Sequence, residues 1–74
     1  MSIDTQQGLA IQVNGEPRRV SAGLSITQML VELRLDPQRV AVERNRDVVP
    51  RSQLGEVEVQ DGDEYEIVHF VGGG

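Results

Sequence analysis

Cysteine is absent from all 74 residues, so neither a disulfide framework nor a thiolate metal site can supplement the core, and no thiol chemistry resides on this chain. Lysine is absent too. All seven basic residues are arginine, which leaves no side-chain amine to attack an activated C-terminus or to accept a polymeric chain, although genome composition bias yields the same pattern. The single histidine, His69, has no His or Cys partner at metal-ligand spacing and no serine nucleophile in a triad around it, so it reads as structural or surface-exposed and no metal site is expected. No stretch is long enough to span a bilayer. The polar start from Met1 to Gly8 has neither the basic lead nor the apolar run of a signal peptide, and a cytoplasmic chain is expected. Positive charge is scarce as well. The net charge of -5 argues against nucleic acid, which demands clustered cations to release counterions, and favours a basic protein partner. Six of the twelve acids (Glu56, Glu58, Asp61, Asp63, Glu64, Glu66) fall in one short stretch with no base among them. Such a run is either a solvated face or a steering field.

A chain of this size makes one domain and buries only about 60% of the surface its unfolded form exposes, which leaves no room for a deep active-site cleft. What is abundant is glycine at the end. Glu66-Ile67-Val68-His69-Phe70-Val71 reads as a buried strand that runs without a cap into Gly72-Gly73-Gly74. Three glycines after the last apolar anchor are expected to stay mobile and to carry the carboxylate of Gly74 roughly 10 Å beyond Val71. Loose chain ends also collect glycine, so the tail alone does not separate function from idleness. It lacks the Lys and Ser/Thr of a phosphate-binding loop and opens no helix. The terminal carboxylate is then the one candidate reactive group, and it needs activation, in water usually as an acyl-adenylate made from ATP by a separate enzyme. Gly72 and Gly73 would thread a passage too tight for side chains, while the body docks by its sheet face through Val68, Phe70 and Glu66. Ordinary two-sided burial of Val68 and Phe70 is the competing expectation.

Taken in order, Leu9, Ile11 and Val13 alternate with polar or small residues, the period of a half-buried strand. Asn14-Gly15 then signals a type I′ hairpin, and Pro17 puts the returning strand at a sheet edge. Ile26, Met29, Leu30 and Leu33 form one helical stripe, with Met29 as core rather than ligand. Ser25 and Gln28 make a capping box, Leu24 and Met29 a hydrophobic staple, and Pro37 stops the helix near Arg34 or Leu35. Val40 to Glu43 is a third strand, Asn45-Arg46-Asp47 a polar bend, and Pro50 to Gln53 a break. Val57 and Val59 read as a weak strand or an extended loop that drops side chains onto the core. Asp61-Gly62-Asp63 turns the chain into a last strand from about Tyr65 to Val71. Apolar residues on both of its faces place it in the middle of the sheet. The sum is an α+β domain, one helix packed across a small mixed sheet, over residues 9–71, with a flexible polar lead (1–8) and a glycine tail (72–74).

The ordered set Val13-Asn14-Gly15-Glu16, Leu35-Asp36-Pro37, Arg39 to Glu43, Asn45, Val49-Pro50-Arg51-Ser52, Asp61-Gly62-Asp63, Glu66-Ile67-Val68 and Phe70 to Gly74 resembles the ThiS family of sulfur carrier proteins of thiamine (thiazole) biosynthesis. One departure is Arg34, where a glycine often closes the helix in that family. The resemblance spans roughly Ile11 to Gly74 and implies the ubiquitin-like β-grasp fold. It also implies that the chain is no enzyme but a protein cosubstrate with no bound cofactor. An E1-like (ThiF-type) adenylyltransferase would use ATP to adenylate Gly74. A sulfur donor such as a cysteine desulfurase or persulfide carrier would convert the adenylate to a thiocarboxylate, and a ThiG-type thiazole synthase would take the sulfur. By analogy with ubiquitin, Tyr65 and Ile67 face the helix and Val68 and Phe70 the partner. Three alternatives stay open: a sulfur carrier for molybdopterin or cysteine, a ubiquitin-like modifier, and a β-grasp binding module whose tail is idle.

Overall fold

A computed structural model describes residues 8–70 of the protein. The alternating segment folds as β1 (Gly8–Val13), beginning one residue earlier than its apolar pattern, and returns as β2 (Glu16–Ser21). Between them Asn14 (φ 52°) and Gly15 (φ 84°) both take the left-handed conformation that a type I′ turn demands. Pro17 lies in β2, which is an edge strand, as a residue without an N–H requires.

The helix α1 (Ile26–Glu32) starts as its capping box dictates. The Ser25 hydroxyl accepts from the Gln28 N–H at 3.1 Å, and the Gln28 side chain accepts from the Ser25 N–H at 2.9 Å. The helix ends at Leu33, one residue short of the stop expected near Arg34 or Leu35. Arg34 swings to φ 67°, and the chain reverses by donating Arg34 N–H to Val31 C=O (2.9 Å) and Leu35 N–H to Leu30 C=O (2.8 Å). This is a Schellman closure with arginine where glycine is usual, so composition offered no signal for it. A left-handed arginine costs about 1–2 kcal/mol, against the extra 0.5–1 kcal/mol of chain entropy that glycine loses on folding. Arg34→Gly is therefore expected to raise stability by about 0.5–1 kcal/mol, seen as a higher urea midpoint at unchanged slope. An unchanged or lower midpoint would mean that the arginine side chain offsets its own strain.

After a short 3₁₀ turn at Pro37–Arg39 the chain enters β3 (Val40–Arg44) and β4 (Asp47–Val49). The expected polar bend is a tight hairpin: only Asn45 (φ 52°) and Arg46 (φ 74°) form the turn, and Asp47 already pairs with Arg44. Arg46 holds a position that glycine normally takes, which hid the hairpin from sequence inspection. Residues from Pro50 onward make a second 3₁₀ turn (Arg51–Gln53) and then the extended loop that was expected. Val59 is buried in that loop, and Glu58 bridges to Ser25.

The last strand, β5 (Glu64–His69), lies between β1, to which it is parallel, and β3, to which it is antiparallel, in the order β2-β1-β5-β3-β4. Ile26, Met29 and Leu30 of α1 pack on one face of this sheet, against Ile11, Val42, Tyr65 and other inward side chains, in a single core. No helix is long and apolar enough to cross a membrane among the described residues.

Candidate docking site on the last strand

Tyr65 and Ile67 point into the core and are buried, while Val68 (59% exposed) and Phe70 (52% exposed) stand on the opposite face of the sheet. The apolar residues on both faces of β5 thus have two different fates. Burial of Val68 and Phe70 in a two-sided core is excluded, and their expected place on an outward face is what the fold provides.

Backbone hydrogen bonding shows how β5 is held. Phe70 donates to Arg39 C=O at 2.8 Å, and by the alternation of an antiparallel ladder Val68 and Glu66 bond to β3 as well. The odd residues therefore turn toward β1. β1 pairs with β5 only as far as Tyr65, after which its hairpin turn intervenes. Asn14 replaces the missing strand. Its side chain accepts from Ile67 N–H at 2.8 Å and donates to Ile67 C=O at 3.1 Å. Asn45 acts likewise at the other end, accepting from Glu64 N–H at 3.0 Å. The two asparagines that open the left-handed turns are thus also the clamps on β5.

A buried carboxylate fixes where β5 begins. Asp63 is 5% exposed, and its Oδ2 accepts from Gln60 N–H (2.9 Å), Arg44 Nε (2.9 Å) and the Tyr65 hydroxyl (2.8 Å), while Oδ1 accepts from Asn45 Nδ2 (3.2 Å). Burial pushes the Asp63 carboxyl up, but these donors outweigh it and hold the group below its ordinary 3.8. Burial, and then the bond to Asp63, push the Tyr65 phenol well above its usual range, so it remains a donor. Donating to the Asp63 carboxylate raises the Arg44 guanidinium above its ordinary value. Asp61 Oδ1 accepts from Ala10 N–H (2.8 Å), and Gly62 N–H, at φ 87°, donates to Ala10 C=O (2.8 Å). Asp61-Gly62-Asp63 therefore docks the entrance of β5 on both of its neighbours.

On the outward face the register sets Val68 opposite Ala41, and Glu66 opposite Glu43, which in turn faces Val48. Val48 is 72% exposed. Glu43 and Glu66 are exposed carboxylates directly across from each other, a like-charge pairing that weakens a sheet, and among the described residues neither lies within 4 Å of a basic group. The face is thus apolar toward Phe70 and acidic toward the start of β5. Glu66, Val68 and Phe70, all expected from sequence, do come together there. Ala41, Glu43 and Val48 complete the face and were not expected, since only the strand register reveals them. His69 is exposed. Gly72, Gly73 and Gly74, expected to carry the reactive end, lie outside the described residues, as does Val71. Among the described residues no group of three or more His, Cys, Asp or Glu side chains is arranged to hold a metal ion.

One helix across a mixed five-stranded sheet, with the last strand central and turning an amphipathic face outward, defines a ubiquitin-like β-grasp protein. Comparison with known proteins narrows this. The sequence model of the ThiS family matches residues 11–74, and the chain belongs to that family. It is 38% identical over 65 residues to the sulfur carrier protein ThiS of Bacillus subtilis, covering 86% of this chain and 98% of the relative. It is 47% identical over 66 residues to a thiazole synthase of Paramagnetospirillum magneticum, covering 89% of this chain but only 20% of that longer protein. Among solved structures, the crystal structure of the thiamine biosynthesis protein ThiS from Geobacter metallireducens superposes with a TM-score of 0.76 at 35% identity, covering 89% of this chain and 100% of that one.

Proposed function

We propose that the protein is a sulfur carrier for thiazole formation in thiamine biosynthesis, with Gly74 as the modified residue and the Glu66, Val68 and Phe70 face as the docking surface. The observation that carries the proposal is the exposure of Val68 on the last strand and of Phe70 just past its end, on the way to Gly74. Two apolar side chains held in water there, with exposed Val48 on the same face, fit a surface covered by a partner. In this reading an adenylating partner joins the Gly74 carboxylate to AMP and releases pyrophosphate from ATP. The terminal sulfur of a persulfide then attacks the acyl carbon and AMP departs. A thiol reduces the resulting acyl disulfide, becoming a disulfide itself, and frees the thiocarboxylate. Gly72 and Gly73 give that group a slender approach to the partner's active site. The chain supplies the carboxylate that carries the sulfur and the docking energy, and its partners supply the catalysis.

A segment similar to this chain within a polypeptide named thiazole synthase favours that enzyme as acceptor over a molybdopterin or cysteine pathway. A lysine-linked modifier would instead leave isopeptide adducts. Intact-mass analysis of the protein purified from its native host tests the proposal. A species heavier by the difference between sulfur and oxygen, mapped to Gly74 and abolished by appending one residue after it, is expected. Recovery of only the unmodified acid from cells actively making thiamine would refute it.

A further inference from the structure

We infer that Arg51 is a positioning residue that sets the direction in which the chain leaves Phe70 on its way to Gly74. The inference rests on Gly74 being the modified end and adds how the body aims it. β3 outruns β4: their last pair is Val42 with Val49, after which Pro50 and the 3₁₀ turn lead the chain away. The ladder that bonds Ala41 and Glu43 to β5 turns the Val40 carbonyl to the other side, where β4 has already ended. Arg51 fills the gap. Its Nη2 donates to Val40 C=O at 3.2 Å and its Nη1 to Pro37 C=O at 2.8 Å. The same guanidinium carbon sits 5.8 Å from the centroid of the Phe70 ring, within cation–π range.

Phe70 is thereby tied twice to one segment, by its N–H to Arg39 C=O at 2.8 Å and by its ring to a guanidinium that is itself fixed to residues 37 and 40. Gly74 is four residues beyond Phe70, so the point at which Phe70 is held bounds how far Gly74 can reach. A planar fork can hold two carbonyls and still offer its face to a ring. An ammonium cannot match that geometry.

The test compares wild type, Arg51→Lys and Arg51→Met in two measurements. Amide hydrogen exchange on the protein alone should show the Phe70 N–H exchanging about tenfold faster in R51M, equivalent to about 1.4 kcal/mol, while Ile67, clamped by Asn14, keeps its protection. With the purified ubiquitin-activating-like partner and ATP, pyrophosphate release at saturating carrier should slow about tenfold in R51M, with R51K between the two, while the Kd stays within about twofold. Unchanged exchange at Phe70, or equal acceleration at every amide, would overturn the inference and leave Arg51 only a stabiliser. A weaker Kd at full saturated rate would also overturn it and make Arg51 a contact. If wild type itself is never adenylated, the proposed function falls, and the exchange comparison still decides whether Arg51 braces Phe70.

Discussion

Phe70→Ala is expected to weaken binding to the proposed adenylating partner by about thirtyfold or more while leaving the domain folded. A half-exposed aromatic ring at the apolar end of the outward face has the character of an interface hot spot, and truncating such a residue commonly costs about 2 kcal/mol or more of binding. Its contribution to folding is smaller. The ring meets Arg51 at an exposed site, a contact worth roughly 0.5–1 kcal/mol, and lies on the face opposite the core. Calorimetric titration against the partner, with a urea melt of the variant alongside, separates the two effects. Binding that is unaffected, or a fold that collapses, would each show that the ring has been misread.

Asp63→Ala should have the largest effect on stability, a loss of about 3–5 kcal/mol, because it strips one partner from a buried charged cluster. Arg44, Tyr65, Asn45 and the Gln60 N–H would all lose their acceptor, and the Tyr65 hydroxyl is buried where water cannot replace it. For a domain of this length the whole stability is of order 4–11 kcal/mol, so the variant would be marginal at room temperature. The pH dependence has a definite sign. The carboxyl is held below its ordinary 3.8 in the folded state, so its stabilisation is fully present above that value and is lost as pH falls through the lower folded value. Asp63→Asn keeps an acceptor oxygen without the titration, and its stability should fall less steeply than that of wild type below about pH 4. Parallel acid profiles for the two proteins would mean that other carboxylates dominate.

Much of this architecture is legible in the chain because local chemistry and global fold agree. Asn14-Gly15 specifies its turn, Ser25 and Gln28 specify the helix start, and Pro17 specifies an edge. What escaped inspection lies where a residue acts against type. Arg34 and Arg46 occupy left-handed positions that would announce themselves if they were glycine, so the manner in which the helix closes and the second hairpin are not visible in the chain. The site divides in the same way. Val68 and Phe70 stand out in a linear reading because a strand with two apolar faces needs two destinations. Their neighbours Ala41, Glu43 and Val48 do not, because the register of β4 is set by the hidden Asn45-Arg46 turn and that of β3 against β5 joins residues far apart in the chain. Asp63 read as one more member of an acidic run. Only the packing shows that its carboxylate is buried and shared by four donors, whereas Glu66 remains in water.

The central placement of β5 also bears on when the molecule becomes competent. Before that strand is laid down, the β1–β2 and β3–β4 hairpins have no common seam, since each joins the sheet only through β5. Pairing residue 12 with residue 64 closes a loop of nearly the whole domain, a slow and non-local event. A growing or prematurely terminated chain that lacks this segment cannot assemble the outward face at all. In the proposed carrier role, such incomplete copies would offer a partner no docking face, without any separate inspection step.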